Sequence, residues 1–189
     1  MSLLGNGLCA AKHHEDELIV EEAQLSMLRR LGASEYNILG ALNNLANTYA
    51  RCGRPSEALR LRQNIYSRRL KLNGEDHKET IDAANNYAAG LVGLQRDAEA
   101  KVLLRKTIPV AQRVLGDSNE ATIKLRCTYA DALGMADGVT LDNLREAVTT
   151  LEETERTARR VLGGAHPTTV GVERDLRDAR NALYARGLP

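Results

Sequence analysis

The sequence predicts an all-α fold in which antiparallel helix pairs stack in series, an α-solenoid of about eight helices without strands. Three observations lead to this prediction. Glycines recur at a fixed interval, since Gly32, Gly74 and Gly116 are 42 residues apart and Gly163 follows Gly116 after 47. Within each interval, apolar residues recur at the i, i+3, i+4, i+7 spacing of a helix face. Turn-forming residues divide each interval in two, so each repeat is interpreted as two helices.

The composition is that of an ordinary globular protein. Of the 189 residues, 43% are hydrophobic and 27% are charged, which argues against a disordered chain. Phe and Trp are absent, so the core must consist mainly of Ala, Leu, Val and Ile. The 26 basic side chains balance the 25 acidic ones, which gives no reason to expect nucleic acid or a membrane as partner. No apolar run approaches the ~20 residues that a membrane-spanning helix requires.

Each predicted element follows from this period. Residues 1–14 are interpreted as a frayed lead-in, and residues 15–186 as a single repeat domain. The domain comprises a half-unit over 15–31, three complete units over 32–73, 74–115 and 116–162, and a terminal helix within 163–186. The predicted helices span about 15–31, 38–51, 56–72, 80–93, 97–115, 121–135, 141–162 and 168–186. The third unit is five residues longer than the others, and the extra length falls in the turn-rich stretch 134–143.

Helix starts are predicted from capping residues. Asp76 with Glu79, and Asp117 with Glu120, have the spacing of capping boxes at the first helices of the second and third units.

Two positions depart from the regular pattern. Gln95 stands in the turn where the first unit has Gly53, so we expect the conformation of the second turn to differ. Pro109 lies inside the second helix of the second unit and is expected to bend it near Arg105.

Small residues explain how the helices of a unit pair. Alanines recur on both helices, at Ala46, Ala88 and Ala130 of the first helices and at Ala58, Ala100 and Ala147 of the second. They allow two helices to approach closely, and because one pair cannot bury both of its faces, the units must stack. In the terminal helix, Arg177 and Arg180 replace Ala130 and Leu133, which indicates either a capping helix or a half-unit cut from a longer parent chain.

The sequence gives no sign of a catalytic or metal site. Cys9, Cys52 and Cys127 are far apart and form no CxxC pair, which argues against a disulfide framework or a thiolate zinc site. The adjacent residues His13 and His14 point in different directions on a helix, so we expect no metal ion. The chain has no phosphate-binding loop, nucleophile elbow or HExxH motif. We therefore expect a protein without enzymatic activity or cofactor, in the cytoplasm because free thiols without an export signal favour a reducing compartment.

The repeat motifs resemble a known family. Asn43-Asn44-Leu45-Ala46-x-x-Tyr49 is followed by Gly53-Arg54-x-x-Glu57-Ala58, and Leu162-Gly163-x-x-His166-Pro167 joins two units. These motifs resemble tetratricopeptide repeats (TPRs), and the 42-residue period is similar to that of the kinesin light chains. The resemblance spans residues 15–186. It implies a right-handed superhelix whose concave groove, lined by the first helices, binds an extended peptide segment of a partner protein.

The resemblance also implies which residues line that groove. They lie on the face of the first helices opposite the packed one, and include Asn43, Asn47, Arg51, Asp82, Asn85, Lys124 and Asp131. Asparagine amides offer both a donor and an acceptor to a peptide backbone. Lys124 and Arg51 are expected to pair with an acidic ligand group, and the aspartates with a basic one. Alternatively, the asparagines are simply solvated or cap the neighbouring repeat.

A second function remains open at this point. The chain could be an architectural segment of a larger protein, such as a motor cargo adaptor or the arm of a regulatory ATPase, whose end helices stack on further copies. The basic side chains of the second helix of unit one are interpreted as a solvated outer face: Arg60, Arg62, Arg68, Arg69 and Lys71.

Overall fold

The computed structural model describes the backbone of residues 3–134 and 139–186, and the side chains of these ranges from residue 14 onward. Within this part of the chain there are eight α-helices and no strand. The helices are α1 (Leu3–Arg30), α2 (Glu35–Arg51), α3 (Pro55–Asn73), α4 (Lys78–Val92), α5 (Asp97–Leu115), α6 (Glu120–Gly134), α7 (Leu141–Leu162) and α8 (Pro167–Ala185). The predicted all-α class and the number of helices are confirmed.

Most helix bounds agree with the prediction to within three residues, and those of α5 and α7 agree at both ends. The first helix is the exception, since α1 begins at Leu3 and not near Glu15. The segment from Leu3 to His14 contains three leucines and two alanines, which favour helix, and this outweighs Gly5 and Gly7. The predicted end of α6 at Met135 lies outside the described residues. Helix α5 continues through Pro109, and the predicted bend near Arg105 stays a prediction.

The helices group into two compact units, Met1–Arg68 and Arg69–Pro189, which are described separately below as unit 1 and unit 2. In unit 1, α1 packs against α2 and buries Leu18 and Leu25. The Tyr49 hydroxyl of α2 donates a 2.6 Å hydrogen bond to Glu22 of α1. Burial of the leucines and this polar contact hold the two helices together.

In unit 2, each helix from α4 to α8 packs against the next one in the chain. The first helices of successive repeats also touch, since α4 packs on α6 and α6 on α8. Each second helix buries one stripe: Asp97, Ala100, Leu104, Thr107 and Ala111 in α5, and Leu144, Ala147, Leu151, Thr154 and Ala158 in α7. The alanines predicted to allow close packing are at most 3% exposed. The repeat is therefore defined by one stripe of buried, mostly small or apolar side chains on each second helix.

The five-residue insertion of the third unit leaves this stripe intact. The buried positions of α7 follow those of α5 at a constant distance of 47 residues, beginning with Leu144. Helix α7 has 22 residues against 19 for α5, and the additional residues precede Leu144. The extra length is thus confined to the connection and to the beginning of α7.

The predicted capping boxes at α4 and α6 are wrong. The Nδ1 atom of His77 accepts the hydrogen bond from the Glu79 N–H at 3.3 Å. At α6, Asn119 Oδ1 accepts from the Ala121 N–H at 2.9 Å. These helices begin immediately after His77 and Asn119, so Asp76 and Asp117 lie too early in the chain to cap them.

His166 caps α8 in the same way as His77 caps α4, since its Nδ1 atom accepts from the Thr168 N–H at 3.2 Å. The two predicted capping aspartates pair elsewhere. Asp76 forms an ion pair with Arg113, and Asp117 accepts a 2.8 Å hydrogen bond from Gln112.

The turn at Gln95 also corrects the prediction, because it has the same conformation as the turn at Gly53. Gln95 has φ of +59° and Gly53 has +71°. In both turns the next residue, Arg96 or Arg54, donates its N–H to the carbonyl five residues earlier at 2.9 Å. Hydrogen bonding that closes the end of a helix in this way requires a residue in the left-handed conformation. Gln95 adopts this conformation although its Cβ disfavours it.

Candidate functional site

A polar groove of about 470 Å³ lies between α4 and α6 in unit 2. Its lining includes Asp82, Asn85 and Lys124, three of the residues predicted to contact a ligand. The other polar lining residues are Lys78, Asn86, Asn119 and Glu120. The groove is positioned by the contact between α4 and α6, the first helices of two successive repeats.

The charges of this groove are paired along each helix. Lys78 Nζ lies 2.5 Å from Asp82 on α4, and Lys124 Nζ lies 2.9 Å from Glu120 on α6. The hydrogen bond to Asp82 raises the pKa of Lys78, and the hydrogen bond from Lys124 lowers the pKa of Glu120. A charged ligand group must therefore compete with an existing partner at Asp82 and at Lys124. Sequence reasoning missed Lys78 and Glu120, although the i, i+4 spacing indicates both pairs.

Asn85 links the two repeats that form the groove. It is half-buried, and the Thr128 hydroxyl of α6 lies 3.0 Å from its Oδ1 atom and 3.0 Å from the Lys124 carbonyl oxygen. The contact with Thr128 agrees with the alternative that this amide bonds to the neighbouring repeat. Because the acceptor oxygen faces Thr128, the group with which Asn85 can bind a ligand carbonyl is its Nδ2 donor.

Asp131 lies in a different cavity, of about 230 Å³, formed by α6, α7 and α8. Its walls are mostly apolar and include Leu144, Leu151 and the carboxylate of Asp175. Burial, and then the charge of Asp175, raise the pKa of Asp131 to about 6. Burial likewise raises the pKa of the neighbouring Cys127 thiol to about 12. The structure therefore separates Asp131 from the groove that holds Asp82, Asn85 and Lys124.

In unit 1, α2 carries the other three predicted residues. Asn43 is half-buried, whereas Asn47 and Arg51 are exposed. Arg51 Nη2 donates 2.8 Å hydrogen bonds to Glu17 of α1 and to Thr48. The acidic partner of Arg51 is thus supplied by α1, which the sequence pattern alone could not place beside it.

The basic side chains of α3 are less solvated than predicted. Arg62 and Arg68 are half-buried. Arg68 forms a two-pronged ion pair with Glu35 of α2, with distances of 2.5 and 2.6 Å. Arg62 Nη2 lies 3.4 Å from Asn47 Oδ1, and burial lowers the pKa of Arg62. The prediction of a solvated outer face is wrong for these two residues, and also for Arg69, whose side chain is 11% exposed and forms an ion pair with Glu79.

Among the side chains that the structure describes, no group of three His, Cys, Asp or Glu residues could hold a metal ion. None of the described helices combines the length and the apolar character that crossing a bilayer requires.

Comparison with known proteins relates this fold to a family. Residues 37–113 match the family model described as tetratricopeptide repeat. The nearly identical TPR-like repeats of a kinesin-light-chain-type protein from P. anserina align with a TM-score of 0.70 and 18% identity, over 97% of this chain and 88% of that one. A point variant of those repeats gives a TM-score of 0.73 at 18% identity, over 97% and 87%.

BtubC (BKLC) from P. vanneervenii aligns with a TM-score of 0.60 and 13% identity, over 94% of this chain and 76% of that one. The comparison with curated protein sequences gives no match. The family match and the shared fold agree with the motifs of residues 43–58 and with the helix pairs of both units. Residues 37–113 are therefore similar to tetratricopeptide repeats, and the fold of the chain is similar to that of the kinesin-light-chain-like repeats.

Proposed function

We propose that this protein is a non-catalytic interaction scaffold that binds an extended peptide segment of a partner protein in the groove between α4 and α6. The observation that carries the proposal is the chemistry of this groove, which combines asparagine amides with two internally paired charges. The repeat fold supports a role in protein interaction in general. The groove supplies the more specific part of the proposal.

Hydrogen-bond donors are the groups that the groove offers to a peptide backbone. The Oδ1 atoms of Asn85 and Asn119 already face Thr128 and the Ala121 N–H. Their amide nitrogens are therefore suited to donate to carbonyl oxygens of a ligand. An extended peptide exposes carbonyl groups along its edge, and such main-chain contacts bind without requiring a particular side chain.

The paired charges indicate which peptides are favoured. Lys78 and Asp82 neutralise each other, as do Glu120 and Lys124, so the groove has no excess of either sign. All four side chains are at least 41% exposed, so a ligand can reach them. We propose that the preferred segment carries no large net charge. Replacing Asp82 with Asn should leave Lys78 unpaired and shift the preference towards acidic peptides.

The cellular setting belongs to the proposal as well. Cys52 and Cys127 are free thiols, which supports the cytoplasm as the compartment. We propose no enzymatic activity and no cofactor for this chain. In unit 1, Asn43 and Asn47 are proposed to make backbone contacts of the same kind with a ligand.

Selection from a phage-displayed library of random twelve-residue peptides, followed by fluorescence anisotropy of the enriched sequences, tests this function. Asn85→Ala should weaken binding of the enriched peptides about tenfold, corresponding to a lost hydrogen bond of ~1–1.5 kcal/mol. The helix content should not change, because the Thr128 hydroxyl retains the Lys124 carbonyl as acceptor. Asn64→Ala, on the exposed surface of α3, is the matched control and should bind as the wild type does.

Two results would contradict the proposal. One is a selection that enriches no peptide above background. The other is a set of enriched peptides that bind Asn85→Ala and Asp82→Asn as tightly as the wild type, which would place the binding surface elsewhere. Double substitution of Asn43 and Asn47 with Ala then examines the contribution of unit 1 in the same assay.

A further inference from the structure

Helix α1 carries an uncovered face in the register that second helices use for packing. The 42-residue repeat places α1 in the same position as α3 and α5, the second helices of the first two units. The buried positions Ala100, Leu104, Thr107 and Ala111 of α5 correspond to Asp16, Val20, Ala23 and Met27, which lie 84 residues earlier. All four of these α1 residues are exposed, Val20 by 65% and Met27 by 55%. Helix α1 buries a different face, that of Leu18 and Leu25, in its unit.

Helix α8 shows the reciprocal feature. It aligns with α4 and α6, the first helices, and its Val170, Arg177 and Arg180 correspond to Ile123, Ala130 and Leu133 of α6. The three residues of α6 are at most 3% exposed, whereas the three residues of α8 are all exposed. Within the described part of the chain, no second helix covers this face of α8.

An open groove of about 790 Å³ runs between α7 and this face of α8. It is lined by four arginines, namely Arg156, Arg159, Arg177 and Arg180, and by three glutamates. The glutamates are paired within the groove, as Glu152 lies 2.7 Å from Arg180, while Glu155 and Glu173 lie 2.7 and 2.6 Å from Arg159. Arg177 is 69% exposed and lies 3.8 Å from its neighbour Asp178. Four arginines against three glutamates leave the groove one positive charge in excess, and Arg156 and Arg177 are the arginines outside these glutamate pairs.

We propose that α1 of one copy of this protein docks into the α7–α8 groove of a second copy and completes a helix pair with α8. Charge complementarity supports a second copy as the occupant. Residues 15–22 of α1 contain five acidic side chains and no basic one. Glu17 and Glu22 contact α2, so the exposed Glu15 and Asp16 are the carboxylates that α1 offers to the arginines of the groove. Asp16 and Arg177 occupy the positions at which the paired helices of complete repeats have alanines. If α1 and α8 pair as those helices do, Asp16 and Arg177 come into contact.

In unit 2, those equivalent positions are Ala88 with Ala100 and Ala130 with Ala147, all at most 3% exposed. Antiparallel docking in the same register sets Asp16 beside Arg177. It also sets Met27 near the beginning of α8, where Val170 is 52% exposed. One end of the interface is then an ion pair and the other an apolar contact. The larger side chains hold the two helices somewhat further apart than the alanines do, towards the upper end of the ~8–10 Å range for packed helices.

The interface is heterologous, because each copy contributes α1 to one neighbour and its groove to another. Such contacts propagate into open chains unless the rotation between copies closes a ring. The proposal does not depend on peptide binding, since the surfaces involved are not those of the α4–α6 groove. Failure of one proposal therefore leaves the other standing.

Sedimentation velocity over a dilution series of the 189-residue chain tests this assembly. The wild type should show a mass that rises with concentration. Asp16→Arg and Arg177→Asp should each raise the dissociation constant at least about tenfold, because each places like charges opposite one another. An equimolar mixture of the two variants should associate again, since copies that alternate along the assembly bring opposite charges together at every junction. Lys71→Asp, a charge reversal on the exposed surface of α3, should associate as the wild type does.

Circular dichroism is expected to show unchanged helix content, since Asp16 and Arg177 are both exposed. A wild type that is monomeric at every concentration overturns the proposal. Association that survives Arg177→Asp also overturns it, and indicates instead that the exposed faces of two α1 helices pair with each other. Loss of association that the mixture does not restore overturns the Asp16–Arg177 register. Val20→Asp checks the apolar part, and wild-type association of this variant counts against the proposed face.

Discussion

The left-handed conformation of Gln95 makes Gln95→Gly a stabilising substitution. A residue with a Cβ costs about 1–2 kcal/mol in the left-handed region, and glycine avoids this cost. Glycine also gains freedom in the unfolded chain, which reduces the benefit by about 0.4–1 kcal/mol. Gln95 is exposed, so its side chain has little packing to lose. We therefore expect a net gain of ~1 kcal/mol in the free energy of unfolding.

Thermal and urea denaturation followed by circular dichroism measure this gain, which corresponds to a rise in Tm of about 2–4 °C for a chain of this size. Gln95→Ala is the first control, because it removes the side chain but keeps the strained backbone, and it should change stability by less than ~0.5 kcal/mol. Gly53→Gln is the second control. A Cβ at Gly53 would meet no atom within 4 Å, so this change adds backbone strain without a clash and should cost ~1 kcal/mol. A Gln95→Gly protein no more stable than Gln95→Ala would refute the reasoning.

Three further substitutions are expected to stabilise the fold, each measured by urea denaturation. Pro109→Ala should add ~1–3 kcal/mol, because it restores a backbone donor inside α5, and an unchanged midpoint would show that the helix has already compensated for proline. Arg62→Leu should add ~1 kcal/mol, because Arg62 stands at the repeat position of the buried Leu104 and Leu151 and its Nε is buried without a partner. A lower stability of this variant would show that the contacts of Arg62 outweigh the cost of burying its Nε. For Asp131, a folded-state pKa of about 6 against an ordinary 3.8 means that the folded protein holds the proton more tightly, so stability falls as the pH rises from about 4 to above 6. Asp131→Asn should remove that fall, with an advantage of at most ~3 kcal/mol at about pH 7 that vanishes below about pH 4, and an advantage independent of pH would contradict the buried charge.

The number and order of the helices could be predicted because they depend on a period that the sequence displays directly. A stripe such as Ala100, Leu104, Thr107 and Ala111 predicts both a helix and the face that it buries. The residue that caps α4 is His77 and not its neighbour Asp76. Helix propensity does not locate the start of a helix to within one residue. The turn at Gln95 was mispredicted because the hydrogen bond from the Arg96 N–H to the Leu91 carbonyl closes the helix with a left-handed residue even where that residue is not glycine.

The part of the candidate site that could be predicted is the part that follows from the repeat period, which places equivalent residues on the same face of successive first helices. Asp82, Asn85 and Lys124 share a groove because they occupy one face of consecutive first helices. The grouping of Asp131 with them failed because this position lies further along α6, beside Asp175 of α8. The partner of Arg51 was not predictable, since Glu17 comes into contact only through the packing of α1 on α2.

The insertion before α7 shows where this architecture tolerates changes in chain length. Five added residues leave the register from Leu144 onward untouched, because they enter the connection before α7 and the beginning of that helix. One residue deleted between Leu144 and Leu151 would instead rotate the rest of α7 by about 100° relative to its neighbours. The side chains brought inward would then include Glu152 and Glu155. Reporter peptides or fluorescent domains should therefore be grafted into the connections between helices, whereas the buried stripes of the helices admit exchanges of side chains but no change of length.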